Sequence, residues 1–179
     1  GEYSDSALGK DEETMDCSIA FIGGQAIFGR FKLAGECSME GKIDTDSSPK
    51  IDVSEYKLGY NLNPVQDMQI ELFISKFEFE MKSEGDELLQ CSSWIFGVDT
   101  EYEIAEKTFF EISYGYGASI DYWLDGSYKT GGSLGTLKGK FSYYFSDHAA
   151  VYIGYRSYMM KTDDEQDLTG ITIGAALKY

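Results

Sequence analysis

Proline, histidine and cysteine are scarce in this chain, with two, one and three copies in 179 residues, and fifteen basic residues face thirty-one acidic ones. Each scarcity excludes something. A formal charge of −16 has the wrong sign for a nucleic-acid binder, which needs clustered lysine and arginine against phosphate. Three cysteines with no Cys-x-x-Cys or Cys/His spacing make neither a disulfide framework nor a zinc set. One histidine leaves a hydrolytic triad with no spare base. No apolar run approaches the roughly 20 residues of a membrane-spanning helix. A spanning strand is not excluded, because it needs only about 9–11 residues, half of them facing lipid. Residues 1–16 also lack an apolar core and hold six acids, so a solvated, disordered acidic leader is expected there, with neither a signal peptide nor a lipid attachment site at Cys17.

Glycine, tyrosine and phenylalanine are plentiful, at 20, 14 and 11 copies. With so little proline, that mixture suits long strands joined by short turns. The period along the chain is two. In the run TFFEISYGYGASIDYW (108–123), Phe110, Ile112, Tyr114, Tyr116, Ala118, Ile120 and Tyr122 share one strand face, opposite Glu111, Ser113, Gly115, Gly117, Ser119 and Asp121. The same alternation marks 56–62, 68–75, 94–102, 137–145, 151–156 and 170–179; the stretch 17–33 is the least clean, since Ile22 and Phe28 break its parity. Eight strands result. The connections alternate between tight (63–67, 104–107, 146–148) and longer, more polar ones (34–50, 82–87, 124–135, 161–168), which puts all the long ones at one end. An even, up-and-down antiparallel barrel closes without an exposed edge.

Such a barrel is soluble if its apolar face points inward and membrane-embedded if it points outward. Eight strands enclose just enough space for side chains or one small ligand. More than twenty large apolar residues on one face would overfill that space. The opposite face holds small residues and charges of both signs: Lys57, Glu71, Asp99, Glu111, Asp121, Lys138, Lys140, Arg156 and Lys178. These can pair across a narrow lumen, as buried charges require. Aromatics near strand ends, such as Tyr60, Tyr102, Trp123 and Phe145, fit interfacial girdles. The expected class is therefore an all-β, eight-stranded antiparallel up-and-down transmembrane β-barrel over residues 17–179.

Three features of the residues resemble the small outer-membrane barrels of the OmpA transmembrane domain, OmpX and opacity-protein type. The end GITIGAALKY alternates apolar residues up to a terminal aromatic; YKLGYNLNPVQDMQIEL and FSYYFSDHAAVYIGYR look like strand–tight turn–strand hairpins; KTDDEQD is an acidic loop at the expected exterior end. The resemblance implies the outer membrane of a Gram-negative-type bacterium, tight turns toward the periplasm, a monomer, and contacts with the lipid bilayer, lipopolysaccharide and the outer-membrane assembly machinery. It also implies a C-terminal assembly signal at Ile173, Ala175, Leu177 and Tyr179.

Candidate chemistry is thin. Ser146 and His148 share a tight turn, which makes them polar turn residues rather than a nucleophile and base. Glu111 and Asp121 are ten residues apart on one strand, roughly 33 Å, too far to act on one bond. The acidic runs Asp163, Asp164, Glu165, Asp167 and Glu84, Asp86, Glu87 lack the spacing and glycine of a calcium loop. Cys37 and Cys91 both fall toward the exterior end, so a disulfide between them is open. No catalytic residue, metal or cofactor is expected. The expected role is structural or surface-interactive, with exterior loops at 34–50 and 124–135. The alternatives are a small channel for ions or polar solutes and a soluble lipocalin-like carrier of an apolar ligand.

Overall fold

The computed structural model describes residues 2–5, 13–43, 50–62, 68–83, 86–124, 127–147, 149–162 and 165–177. Twelve strands belong to one sheet: β1 (Glu2–Asp5), β2 (Glu13–Phe28), β3 (Phe31–Ile43), β4 (Lys50–Asn61), β5 (Met68–Ser83), β6 (Asp86–Ala105), β7 (Thr108–Gly117), β8 (Ile120–Leu124), β9 (Ser127–Gly131), β10 (Ser133–Ser146), β11 (Ala149–Lys161) and β12 (Glu165–Leu177). Two of these pairs are single strands with a break. β7 and β8 both lie along β6, separated at Ala118–Ser119. β9 leads into β10 through Gly131 and Gly132, whose φ values of 132° and 78° only glycine adopts cheaply; a Cβ on Gly132 would also run into the Lys161 carbonyl.

All pairings are antiparallel, and they pass round a ring through β2, β3, β4, β5, β6, β7, β10, β11 and β12, with β1 bridging β12 back to β2. The expected eight strands are thus nine long ones and a short tenth. The correction lies in the first segment. The stretch 17–33 is not one strand but a hairpin, turned at Gly29–Arg30, with Gly29 at φ 63°. Glu36, Ser38 and Lys42 made β3 look like a polar loop, but the strand runs on to Ile43. The connections expected at 82–87 and 124–135 are likewise mostly strand, since β5 reaches Ser83, β6 starts at Asp86 and β8 pairs with β9.

Each long strand changes character half-way along. In β5, Met68, Ile70, Leu72 and Ile74 point outward near the end that carries the Glu106–Lys107 turn, and Glu71 points inward. Further along the same strand the inward residues become Phe77 and Phe79, both buried, and the outward ones become Lys76, Glu78 and Glu80. β4 makes the same exchange: Tyr56, Leu58 and Tyr60 face out with Lys57 inside, whereas Ile51 and Val53 face in with Lys50 and Asp52 outside. Alternation by itself is uninterrupted in both strands; what inverts is which parity is apolar.

The barrel therefore has two storeys. The upper one, away from the Glu106–Lys107 turn, is filled like a soluble protein by Ile51, Val53, Phe77, Phe79, Leu89, Ile95, Ile120, Tyr122, Leu134, Tyr158, Met160 and Leu168. Phe77 and Tyr158 lie with ring centroids 4.9 Å apart there. The lower storey has a polar interior and an outer wall of exposed large apolar residues, including Phe96, Tyr114, Phe141 and Ile153. On β6 this wall runs from Trp94 to Ile104, which at about 3.3 Å per residue and a tilt near 40° spans roughly 25 Å along the axis. The irregularity at Ala118–Ser119 is where the β7–β8 strand changes storey. It shifts parity, so Ile120 and Tyr122 turn inward and are buried, and Asp121 turns outward. The expected unbroken alternation over 108–123 fails there because the apolar residues follow the upper core.

Candidate functional site: the lumenal charge network

The lower interior collects charge because every inward position there would otherwise be small. Gly97, Ser113, Gly115 and Ser142 leave room, and a Cβ on Gly97 would strike the Phe73 ring and the Tyr114 carbonyl. Gly59 does the same for Glu71, whose carboxylate occupies the space a side chain at 59 would take. Into this space reach Lys32, Lys57, Lys138, Lys140 and Arg156, opposed by Glu36, Glu55, Glu71, Asp99 and Glu111.

Two layers of pairing result. Nearer the lower end, Lys32 Nζ lies 3.4 Å from Glu71 and Lys140 Nζ 2.9 Å from Glu111, and Lys57 donates to Asp99. Lys57 also sits 4.7 Å over the Phe73 ring. Nearer the upper core, Lys138 Nζ donates to Glu36 at 2.8 Å and to Glu55 at 2.6 Å. Arg156 forks onto Glu36 at 3.0 and 3.3 Å, donates to the Tyr158 hydroxyl at 3.4 Å, and stacks 4.0 Å over Phe21. Paired geometry of this kind is what makes buried charge tolerable, and it fixes the side chains across strands far apart in sequence.

The space left between them is a cavity of about 300 Å³, touched by Glu36, Lys57, Glu111, Lys138, Lys140 and Arg156. A smaller one of about 100 Å³ lies below it, beside Lys32, Glu71, Asp99 and Tyr144. Among the described residues, Glu71 Oε1, Asp99 Oδ1 and Arg156 Nε have no protein partner. Polar atoms of this kind suit a wet cavity, since water supplies the missing bonds. Above the cavity the upper core closes the barrel.

Seven of the nine expected lumenal charges do point into this interior: Lys57, Glu71, Asp99, Glu111, Lys138, Lys140 and Arg156. The expected pairing of Glu111 with a lumenal lysine is made with Lys140. Asp121 is a correction. It faces out and accepts hydrogen bonds from the Tyr128 hydroxyl at 3.1 Å and Thr130 at 2.9 Å, and that bond raises the Tyr128 pKa. Lys178 lies outside the described residues. The sequence reading missed Lys32, Glu36 and Glu55, because all three sit in segments taken as loop, at a strand boundary or in the irregular first strand. The signal that finds them is Lys32, Ala34, Glu36, Ser38, an alternation of its own starting right after the Gly29–Arg30 turn.

Other expected features land as follows. Ile173 and Ala175 face outward and are exposed, Leu177 ends β12, and Tyr179 lies outside the described residues, as do His148, Asp163 and Asp164. Cys37 and Cys91 are not joined: Cys37 is exposed, and Cys91 is buried in the upper core. Among the described residues no cluster of histidine, cysteine, aspartate or glutamate could hold a metal ion.

No protein-family model and no curated protein matches the chain. Solved structures similar to it include three of outer-membrane or transporter proteins. In-vitro folded OmpT, an outer membrane protein of Vibrio cholerae, is 14% identical with a TM-score of 0.38, over 94% of this chain and 58% of that one. Outer-membrane-expressed OmpT of Vibrio cholerae is 16% identical with a TM-score of 0.38, over 90% and 55%. The Pseudomonas putida toluene transporter TodX is 10% identical with a TM-score of 0.39, over 99% and 69%. The chain thus spans a little over half the length of the OmpT structures.

Proposed function

We propose that the protein is a β-barrel of a Gram-negative-type outer membrane, with a structural or surface-interaction role and no catalysis. One observation carries the proposal: over the lower storey the wall is apolar outside and charged inside, the reverse of a soluble domain. Large side chains such as Phe96, 63% exposed, and Ile173, 81% exposed, stand on that wall. In water they would form an apolar patch far larger than the few hundred Å² that soluble monomers tolerate; in a bilayer they face hydrocarbon. The height of roughly 25 Å matches the apolar band of such barrels.

The upper storey is then a continuation of the barrel beyond the bilayer, polar outside and packed within. It presents the strand ends and their connections on a rigid base, where contacts with lipopolysaccharide or another surface molecule would be made. Its packed core stands across the lumen, and the lumenal charges below are largely paired. Both features speak against a channel for ions or polar solutes. A lipocalin-like carrier needs an apolar cup, whereas the cavity here is lined by charge.

Refolding with and without detergent tests the proposal. The expected outcome is a strict need for detergent, with faster gel migration of the unboiled sample. A monodisperse monomer in plain buffer would refute it. In planar bilayers the inserted protein is expected to give no conductance steps at high protein load.

A further inference from the structure

Away from the apolar wall, two large aromatics stand in the open on the β8–β9 hairpin. Trp123 is 37% exposed and Tyr128 56%. Among the described residues β9 pairs with β8 and with no other strand, and Ser127, Tyr128, Lys129 and Thr130 are all exposed. Side chains alternate along β8. Ile120 and Tyr122 are buried in the core, so Asp121 and Trp123 face outward. The register gives each of these a neighbour on either side: Gln90 and Tyr128 flank Trp123, and Ser92 and Thr130 flank Asp121. Six residues thus form a patch of two short rows, one aromatic with an amide, the other polar throughout.

The patch is held from within. The Trp123 and Tyr128 rings have centroids 4.9 Å apart and planes tilted by 53°, so their faces are inclined to each other rather than stacked. The Tyr128 hydroxyl donates to Asp121 at 3.1 Å, and the Thr130 hydroxyl at 2.9 Å. Both bonds fall on Oδ1; among the described residues nothing donates to Oδ2. A cross-strand aromatic pair steadies a hairpin, and that accounts for the contact between the rings. It does not call for a carboxylate that fixes the phenol and keeps a second oxygen for an incoming donor.

We propose that this patch binds an uncharged hexopyranose, with the C–H face of the sugar against Trp123 and Tyr128 and a hydroxyl donated to Asp121 Oδ2. A pyranose joins an apolar face to a rim of hydroxyls, and a site for such a molecule needs aromatic surface beside a few fixed polar groups. Asp121 lies two residues from Trp123 on the same face, about 6.6 Å, within the span of one sugar ring. Gln90, Ser92 and Thr130 add neutral donors and acceptors around it. Charge narrows the class. Asp121 repels a phosphorylated or uronic sugar, as do Glu78 and Glu80, which sit opposite Ser92 and Gln90 on β5; Lys82 answers Glu80 alone of the three. A bare cation would use the rings and the carboxylate, but it leaves the three neutral side chains without a role. The site rests on the outer-membrane reading only for its position beyond the apolar wall. Brominated lipid tests that position, whereas the titration below is read in detergent and is decided separately.

The test uses the Trp94→Phe variant, in which Trp123 is the one tryptophan left, folded in a sugar-free polyoxyethylene detergent. Methyl glycosides of glucose, galactose, mannose and N-acetylglucosamine are titrated to about 200 mM, because one ring on an open face binds in the millimolar range. At least one is expected to shift the Trp123 emission saturably. Tyr128→Phe keeps the ring and should keep the binding; Tyr128→Ala should weaken it at least about tenfold. Asp121→Asn should weaken it at least about threefold, and the uronic counterpart of the bound sugar should bind at least about tenfold more weakly. Unboiled gel migration checks that each variant is folded. No response to any of the four sugars by the folded protein would overturn the proposal. So would undiminished binding in Tyr128→Ala, which puts the sugar elsewhere, or a response to tetramethylammonium and to no sugar, which makes the patch a cation site. In bilayers, shielding of Trp123 from acrylamide by intact lipopolysaccharide and not by lipid A would identify the membrane's own saccharide as the source. Absence of shielding would assign a saccharide from solution, and either source upholds the site.

Discussion

Glu36 holds the upper lumenal layer together, since both Arg156 and Lys138 donate to it. Lys138 keeps the Glu55 carboxylate when Glu36 is removed, but Arg156 is left with no carboxylate among those it contacts, only the Tyr158 hydroxyl and the Phe21 ring. Glu36→Ala is therefore expected to cost about 2–3 kcal/mol in urea unfolding of the detergent-folded protein, because it strands a largely buried cation. Adding Arg156→Met should recover part of that loss. An effect below half a kilocalorie would mean that water already satisfies the guanidinium. Cys37 and Cys91 differ as sharply. Burial without a polar partner pushes the Cys91 thiol up to about 12, whereas Cys37 is exposed. At pH 8 only about one part in ten thousand of Cys91 is thiolate. A maleimide titration of a Cys17→Ser variant should thus label one cysteine rapidly in the folded protein and a second only after unfolding. Rapid labelling of both would contradict a sealed upper core.

Strands of this chain carry two opposite patterns end to end, and phenylalanines on β5 and β6 show the consequence. Phe77 is fully buried in the upper core, and Phe96 stands on the outer wall. Phe77→Ala is expected to destabilise the folded barrel by about 3–5 kcal/mol. Phe96→Ala should change unfolding in detergent far less, because detergent replaces lipid on both sides of the comparison. Similar losses for the two would mean that the outer wall is packed rather than solvated by amphiphile. Gly97 belongs to β6 and faces the interior beside Phe73. Gly97→Val is expected to cost about 1–3 kcal/mol, since its side chain must displace the Phe73 ring and meets the Tyr114 backbone. The element-level pattern was largely legible in the sequence. Period-two alternation located nearly every strand after Tyr56, whereas the expected alternation of tight and long connections fails, because the strands run on through most of 82–87 and 124–135. What escaped was the Gly29–Arg30 turn, whose residues are no strong hairpin pair, and the parity shift at Ala118–Ser119. Alternation reports that two faces differ; it does not report that a strand exchanges their roles part-way.

Taken as a whole, the barrel predicts where each of its two tryptophans sits. Trp94 lies at the top of the apolar wall and is 57% exposed; Trp123 lies on β8, paired in register with Tyr128 beside the polar outer surface of the upper storey. β8 meets β6 at Gln90, four residues before Trp94, so the two indoles differ in level by about 13 Å along the strand. In bilayers containing brominated lipid, a Trp123→Phe variant is expected to lose most of its emission. A Trp94→Phe variant should keep it and respond instead to aqueous iodide. Equal quenching by lipid would place the whole barrel in the membrane and remove the two-storey arrangement.

The sequence by itself determined an all-β antiparallel barrel of alternating strands, with apolar and charged faces, and it named most of the charges that meet inside. Those conclusions need only the period of the side chains and the sign of the charge, which are local properties. Tertiary structure decided three things that no local property contains. It set the strand number, because a hairpin and a closing strand are recognised only by what they pair with. It set which face is inside at each height, because the upper core forms only when Phe77, Phe79, Leu89, Ile120 and Tyr158 converge from four different strands. It also set how the ring is joined, because the first and last long strands run parallel and only β1, antiparallel to both, bridges them.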